Sequence, residues 1–116
     1  MHFDKFSFGS LWIDGSMYEH DVVIDRGKVR KRKKKLSKKF RDDFGHTPVS
    51  IEEEIPWHCR QLVIGTGAYG RLPVMPEVQR QAESHKVKLL ILPTIKAIEV
   101  LEQDSEDTNA ILHVTC

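Results

Sequence analysis

Three short apolar runs in the second half of the chain constrain the fold most. They are Gln61-Leu62-Val63-Ile64, Val87-Lys88-Leu89-Leu90-Ile91-Leu92 and Ala110-Ile111-Leu112-His113-Val114. Each is short for a helix and lacks the polar alternation of a half-exposed strand, so each reads as a buried strand. Two helical patterns lie between them. Pro76 to about His85 begins with proline in the first turn, where its missing N–H is not needed. Thr94 is placed to cap a second helix whose Ile95, Ile98 and Leu101 form one apolar stripe. The acidic stretch Glu102 to Asp107 marks the end of that helix. A β-α-β-α-β order predicts a substantially parallel sheet in an α/β domain. The 116 residues fit one domain, 1–116.

The first half reads as β. Phe6 to Ile13 is one extended run, and Asp14-Gly15 is a strong hairpin turn signal. A second strand is expected from about Met17 to Asp25, with Tyr18, His20, Val22 and Ile24 on one face. Arg26-Gly27 reads as a turn, and Val29 opens a very basic ribbon. From Leu36 to Cys59 the sequence is poorly periodic. Gly45-His46-Thr47-Pro48 reads as a loop, and Ser50-Ile51-Glu52-Glu53 matches a helix capping box that Pro56 cuts short.

Charge is strongly segregated. Arg26 to Arg41 holds eleven basic residues and no acidic one, and the other hundred residues balance at −10, so the formal net charge of +1 conceals a basic ribbon on an acidic body. Arg30, Lys31, Arg32, Lys33, Lys34, Lys35, Lys38 and Lys39 form a candidate docking surface. Three occupants follow from the charge: water or the chain's own Glu52-Glu53-Glu54 and Glu99–Asp107, a protein partner or second copy of the chain, and nucleic acid. No aromatic residue lies between Lys28 and Lys39, so a stacking platform for single strands is absent from the ribbon. No apolar run is long enough to span a bilayer, and Met1-His2-Phe3-Asp4 does not open like a secretory leader, so a cytoplasmic protein without membrane partners is expected.

Motifs for chemistry are sparse. Gly65-Thr66-Gly67-Ala68-Tyr69-Gly70 fits G-x-G-x-x-G after a strand, yet Leu72-Pro73-Val74-Met75-Pro76 delays the following helix, which the dinucleotide motif needs at its glycines. A tight structural turn is the plainer reading. In a parallel sheet, Gly65, Thr66, Gly67 and Thr94 would border a crevice at the carboxyl ends of the strands, suited to a small anion or a partner's carboxylate. His58-Cys59 and His113-x-x-Cys116 supply four zinc-type ligands but no C-x-x-C knuckle, so no metal and no cofactor is expected. Cys116 is a candidate nucleophile with His46 or His113 as its base.

The residues also resemble a known family. Phe8-Gly9-Ser10, Ile13-Asp14-Gly15, Tyr18 and His20 to Ile24 resemble the opening of the Mth-938-like domain, a domain of unknown function. Lys35-Leu36-Ser37-Lys38 and Gly45-His46-Thr47 resemble its middle. Val63 to Gly67 with Tyr69-Gly70, Leu92-Pro93-Thr94 with Ala97-Ile98, and Ile111 to Cys116 resemble its remaining elements. The resemblance covers essentially the whole chain. It departs where many relatives carry Tyr-Asn in the last helix and Gly-Arg before the final strand, positions that here read Val100-Leu101 and Asp104 to Asp107. It implies a three-layer α/β fold with a mixed central sheet and an N-terminal β-hairpin. It implies no reaction. Relatives with assembly and accessory roles make a non-enzymatic binding factor the expectation, with a small-molecule enzyme using the crevice and nucleic-acid association through residues 26–41 as alternatives.

Overall fold

A computed structural model describes residues 1–116. The element order is β1 (Phe3–Ser7), β2 (Ser10–Ile13), β3 (Ser16–Tyr18), β4 (Val22–Asp25), β5 (Lys28–Lys31), a 3-10 helix (Lys34–Phe40) running into α1 (Arg41–Phe44), β6 (Gln61–Gly65), α2 (Pro76–Ser84), β7 (Lys88–Leu92), α3 (Thr94–Gln103) and β8 (Thr108–Leu112). Strands β1-β2-β3 make a small antiparallel sheet, and the main sheet has the order β5-β4-β8-β6-β7. Within it β6 runs parallel to both β7 and β8, whereas β4 is antiparallel to β8 and to β5. The sheet is therefore mixed, with the β-α-β-α-β half supplying its parallel part.

The apolar runs are continuous because the main sheet is covered on both faces. Val22, Ile24, Val63, Ala110 and Leu112 point to one face and pack with Leu11 and Ile13 of the small sheet and Ala97, Ile98 and Leu101 of α3. Val23, Leu62, Ile64 and Ile111, one residue out of phase, pack on the other face with Val49, Leu72 and Val78. This alternation makes the three layers.

Several expectations are corrected. The N-terminal run is a three-stranded meander, since the chain already turns at Phe8-Gly9, with Gly9 at φ 89°. The strand expected over Met17–Asp25 is two strands in different sheets, interrupted where Asp21 turns its carboxylate inward to Arg32, His113 and the Val114 amide. The aperiodic stretch from Leu36 onward begins with helix. No helix follows Ser50, and only half of a capping box forms: Ser50 N–H donates to Glu53 Oε2, while Glu53 N–H donates to the Ser50 carbonyl and not to its hydroxyl. The Glu53 carboxylate is also held by Arg32 and Ser37, which draws the segment inward and leaves it as a single turn. Thr94 does not cap α3 with its side chain; it is the first helical residue, and Pro93 holds the cap position. Ile95 is half exposed, and α3 buries Thr94, Ala97, Ile98 and Leu101 instead.

Gly67 lies where the β6 loop meets the end of the chain. Its φ is 103°, and an added Cβ would overlap the Cys116 carbonyl carbon. Gly9 also has positive φ but faces open space. Gly67→Ala is accordingly expected to cost about 3 kcal/mol, strain and overlap together. Gly9→Ala should cost about 1 kcal/mol, for its conformation alone. Urea unfolding of the two variants measures the difference.

Candidate functional site

The site begins with an arginine that is not on the surface. Arg32 follows the edge strand β5, and its side chain is 1% exposed. Its Nη1 donates to Asp21 Oδ2 at 2.9 Å, its Nε and Nη2 donate to the two Glu53 oxygens at 2.8 Å each, and Nη2 also donates to the Pro48 carbonyl at 2.9 Å. Ser37 Oγ donates to Glu53 Oε2, so the Ser50 hydroxyl, 2.6 Å away, donates to Ser37. Every buried side-chain nitrogen and oxygen in the chain has a partner.

Asp21 extends the cluster to the end of the chain. His113 Nδ1 lies 2.9 Å from both Asp21 oxygens, and the Val114 amide donates to Oδ1. An ionised carboxylate only accepts, so Nδ1 carries a proton, and Nε2 lies 3.0 Å from the Thr115 hydroxyl. His113 and Thr115 share one side because they are two residues apart in extended chain. Burial pushes the Asp21 carboxyl up, but the His113 hydrogen bond and the charges of His113 and Arg32 outweigh it and hold the group below the ordinary carboxylate range. Burial likewise works against the Arg32 charge, and Glu53 and Asp21 together raise it above its usual value.

Arg32, His113 and Thr115 of this network line a cleft of about 310 Å³. Its walls carry Lys34, Lys38, Arg41 and His46, its floor Arg32 and His113, and Leu72 is its one apolar lining residue. No Asp or Glu lines it. Lys34 and Lys38 come from the 3-10 helix and Arg41 from the first position of α1, and the fold brings all three to this cleft. The chain turns at Gly45 and sends His46 back towards the same space.

The sequence candidates divide into two groups. Gly65, Thr66, Gly67 and Thr94 do follow β6 and β7, but the end of the chain fills the crevice beside them. Thr94 Oγ1 accepts from the Gly67 amide and donates to the His113 carbonyl, while the Ala68 and Arg71 amides donate to the Thr115 and Cys116 carbonyls. His46 and His113 open onto the cleft, and Cys116 Sγ lies 3.6 Å from His46 Nδ1 beside it. Cys59 bonds the Pro56 carbonyl, burial pushes its thiol up, and no three His, Cys, Asp or Glu side chains are arranged to hold a metal ion.

The basic ribbon also divides. Arg32 must be removed from the docking surface, because its two carboxylate partners bury it. Arg30 donates to the Glu54 carbonyl, Lys33 pairs with Glu54 and Lys39 with Glu52. The match to Glu52–Glu54 is thus real, whereas the acidic stretch after α3 is met by Arg60, which pairs with Asp104. Lys31, Lys34, Lys35, Lys38 and Arg41 have no carboxylate within 4.0 Å. Asp21, Glu53, Arg41 and Thr115 were not among the sequence candidates. An aspartate inside an expected strand, just before the apolar run Val22-Val23-Ile24, was a readable signal for Asp21; Arg41 offered none beyond closing the basic run.

Neither a protein-family profile nor a curated protein matches the sequence. Solved structures do. A conserved hypothetical protein of Pyrococcus horikoshii OT3, PH1505, is 29% identical over 100% of both chains, with a TM-score of 0.84. The structure titled MT938 is 27% identical over 98% of this chain and 97% of its own, with a TM-score of 0.72. A Bordetella pertussis protein described as a Mth938-like domain shares the fold at 15% identity and a TM-score of 0.64, over 97% of this chain and 84% of its own.

Arg32→Met leaves two buried carboxylates without their cation and should cost about 3–5 kcal/mol in chemical unfolding. The lowered Asp21 value predicts a defined acid limb. Its stabilisation is complete above the ordinary carboxylate value of about 3.9 and is lost as pH falls from there through the lower folded value. Asp21→Asn should flatten the stability curve over that acid range, as followed by thermal unfolding.

Proposed function

We propose that this chain, which belongs to the Mth938-like family, is a binding or assembly accessory protein whose docking face is the basic segment 28–41, and that its partner is an acidic protein. One observation carries the reading: Lys31, Lys34, Lys35, Lys38 and Arg41 stay unpaired while their neighbours Arg32, Lys33 and Lys39 are matched within the chain. A ribbon that served only its own fold would be neutralised by the acidic body that carries it. Exposed Leu36 and Phe44 lie in the same helical segment and add apolar area among the cations. The reading places the protein in the cytoplasm, with which its two free thiols agree. No helix is long and apolar enough to cross a membrane.

A second reading, a small-molecule enzyme, is favoured by the Asp21–His113–Thr115 series, in which a buried carboxylate orients an imidazole against a hydroxyl at the cleft. It predicts slow hydrolysis of p-nitrophenyl esters that Thr115→Val abolishes without loss of fold; equal rates for both proteins exclude it.

Capture from native lysate at low and high salt, read by mass spectrometry, tests the accessory reading. A specific acidic protein should be retained at low salt, released at high salt as screening shortens to a few ångströms, and lost from Lys31→Glu/Lys35→Glu. Retention of no specific protein overturns the reading. Sedimentation of the purified chain reports self-association, and retention of nucleic acid alone would assign the face to that partner instead.

A further inference from the structure

The cleft itself supports an inference separate from the docking face. We propose that it is a binding site for a phosphate-type oxyanion, either free phosphate or the phosphate group of a small metabolite.

Three permanent cations, Lys34, Lys38 and Arg41, converge with His46 on one cavity, and no acidic side chain shares its lining. Like charges held together repel, so this arrangement raises the energy of the free protein and favours an anion that spans them. The nearest carboxylates cannot serve as that anion. Asp21 is occupied by Arg32, His113 and the Val114 amide, and Glu53 by Arg32, Ser37 and the Ser50 amide. The buried network thus consumes the internal anions and leaves the wall above it positive.

The type of anion follows from the donors. Lysine supplies compact charges and arginine a planar fork, and together they suit an oxyanion with three or four oxygens better than a two-oxygen carboxylate. Thr47 is also in the lining and carries a hydroxyl suited to a further oxygen. The volume of about 310 Å³ exceeds one phosphate and lies at the small end of metabolite sites. With Leu72 as the sole apolar lining residue, the rest of such a ligand must also be polar.

The test is a titration of the full chain followed by amide resonances. The probes are inorganic phosphate, sn-glycerol 3-phosphate and acetate, at matched ionic strength. Phosphate or its ester should give saturable shifts centred on residues 45–47 and 113–115, with acetate at least about tenfold weaker. Tighter binding of glycerol phosphate than of phosphate points to a metabolite, and the reverse to free phosphate. Lys38→Ala and Arg41→Ala should each weaken binding about tenfold. Lys31→Ala/Lys35→Ala, on the docking face but outside the cleft, should leave it unchanged. Linear shifts equal for all three probes overturn the proposal, as does equal weakening by the Lys31/Lys35 pair. Since that pair carries the docking face, loss of partner capture with phosphate binding intact, or the reverse, separates the two readings.

Discussion

One buried guanidinium organises the region that matters in this protein. Arg32 joins the end of the edge strand β5, the Pro48 to Glu53 turn and, through Asp21 and His113, the end of the chain. Removing such a charge from water is expensive, and only complete pairing makes the burial tolerable. The pairing is complete: two carboxylates, a backbone carbonyl and two serine hydroxyls close the network around it. The same requirement accounts for the two main departures from regular structure, the break between β3 and β4 at Asp21 and the failure of a helix to continue from Ser50.

The network also sets the electrostatics of the surface. The chain segregates its charge, with eleven cations in sixteen residues on an otherwise acidic body. Part of that excess is cancelled at once by Glu52, Glu53 and Glu54. The remainder is left unpaired because the internal carboxylates nearest to it are already held. Lys34, Lys38 and Arg41 line a cleft, and Lys31 and Lys35 face solvent beyond it. The proposed docking face and the proposed anion site therefore use adjacent and partly shared residues, and a ligand in the cleft would change the charge that a partner meets.

The fold was largely legible. Periodicity alone marked β6, β7, β8, α2 and α3 to within a few residues, since buried runs and a helix-opening proline are local signals. The small sheet was harder, because Gly9 between Phe8 and Ser10 does not announce a turn without its φ. The site was legible only in part. His46 and His113 were named from their residue types and both open onto the cleft. Gly65, Gly67 and Thr94 were named from a loop pattern, and they turn out to grip the chain end, because glycine serves close backbone approach as readily as it serves a phosphate. Arg32 was read as surface because a lysine-rich run gives no local sign that one member is turned inward.

By itself the sequence determined the α/β class, the parallel half of the sheet and the segregation of charge, since each follows from near-neighbour pattern and composition; the three layers were implied only by the family resemblance. Only the tertiary structure decided which cations are neutralised and which remain free. That choice depends on pairs far apart in the chain, Asp21 with His113 and Arg32 with Glu53. A carboxylate's partner is fixed by distance and burial, and neither is written in the order of the residues.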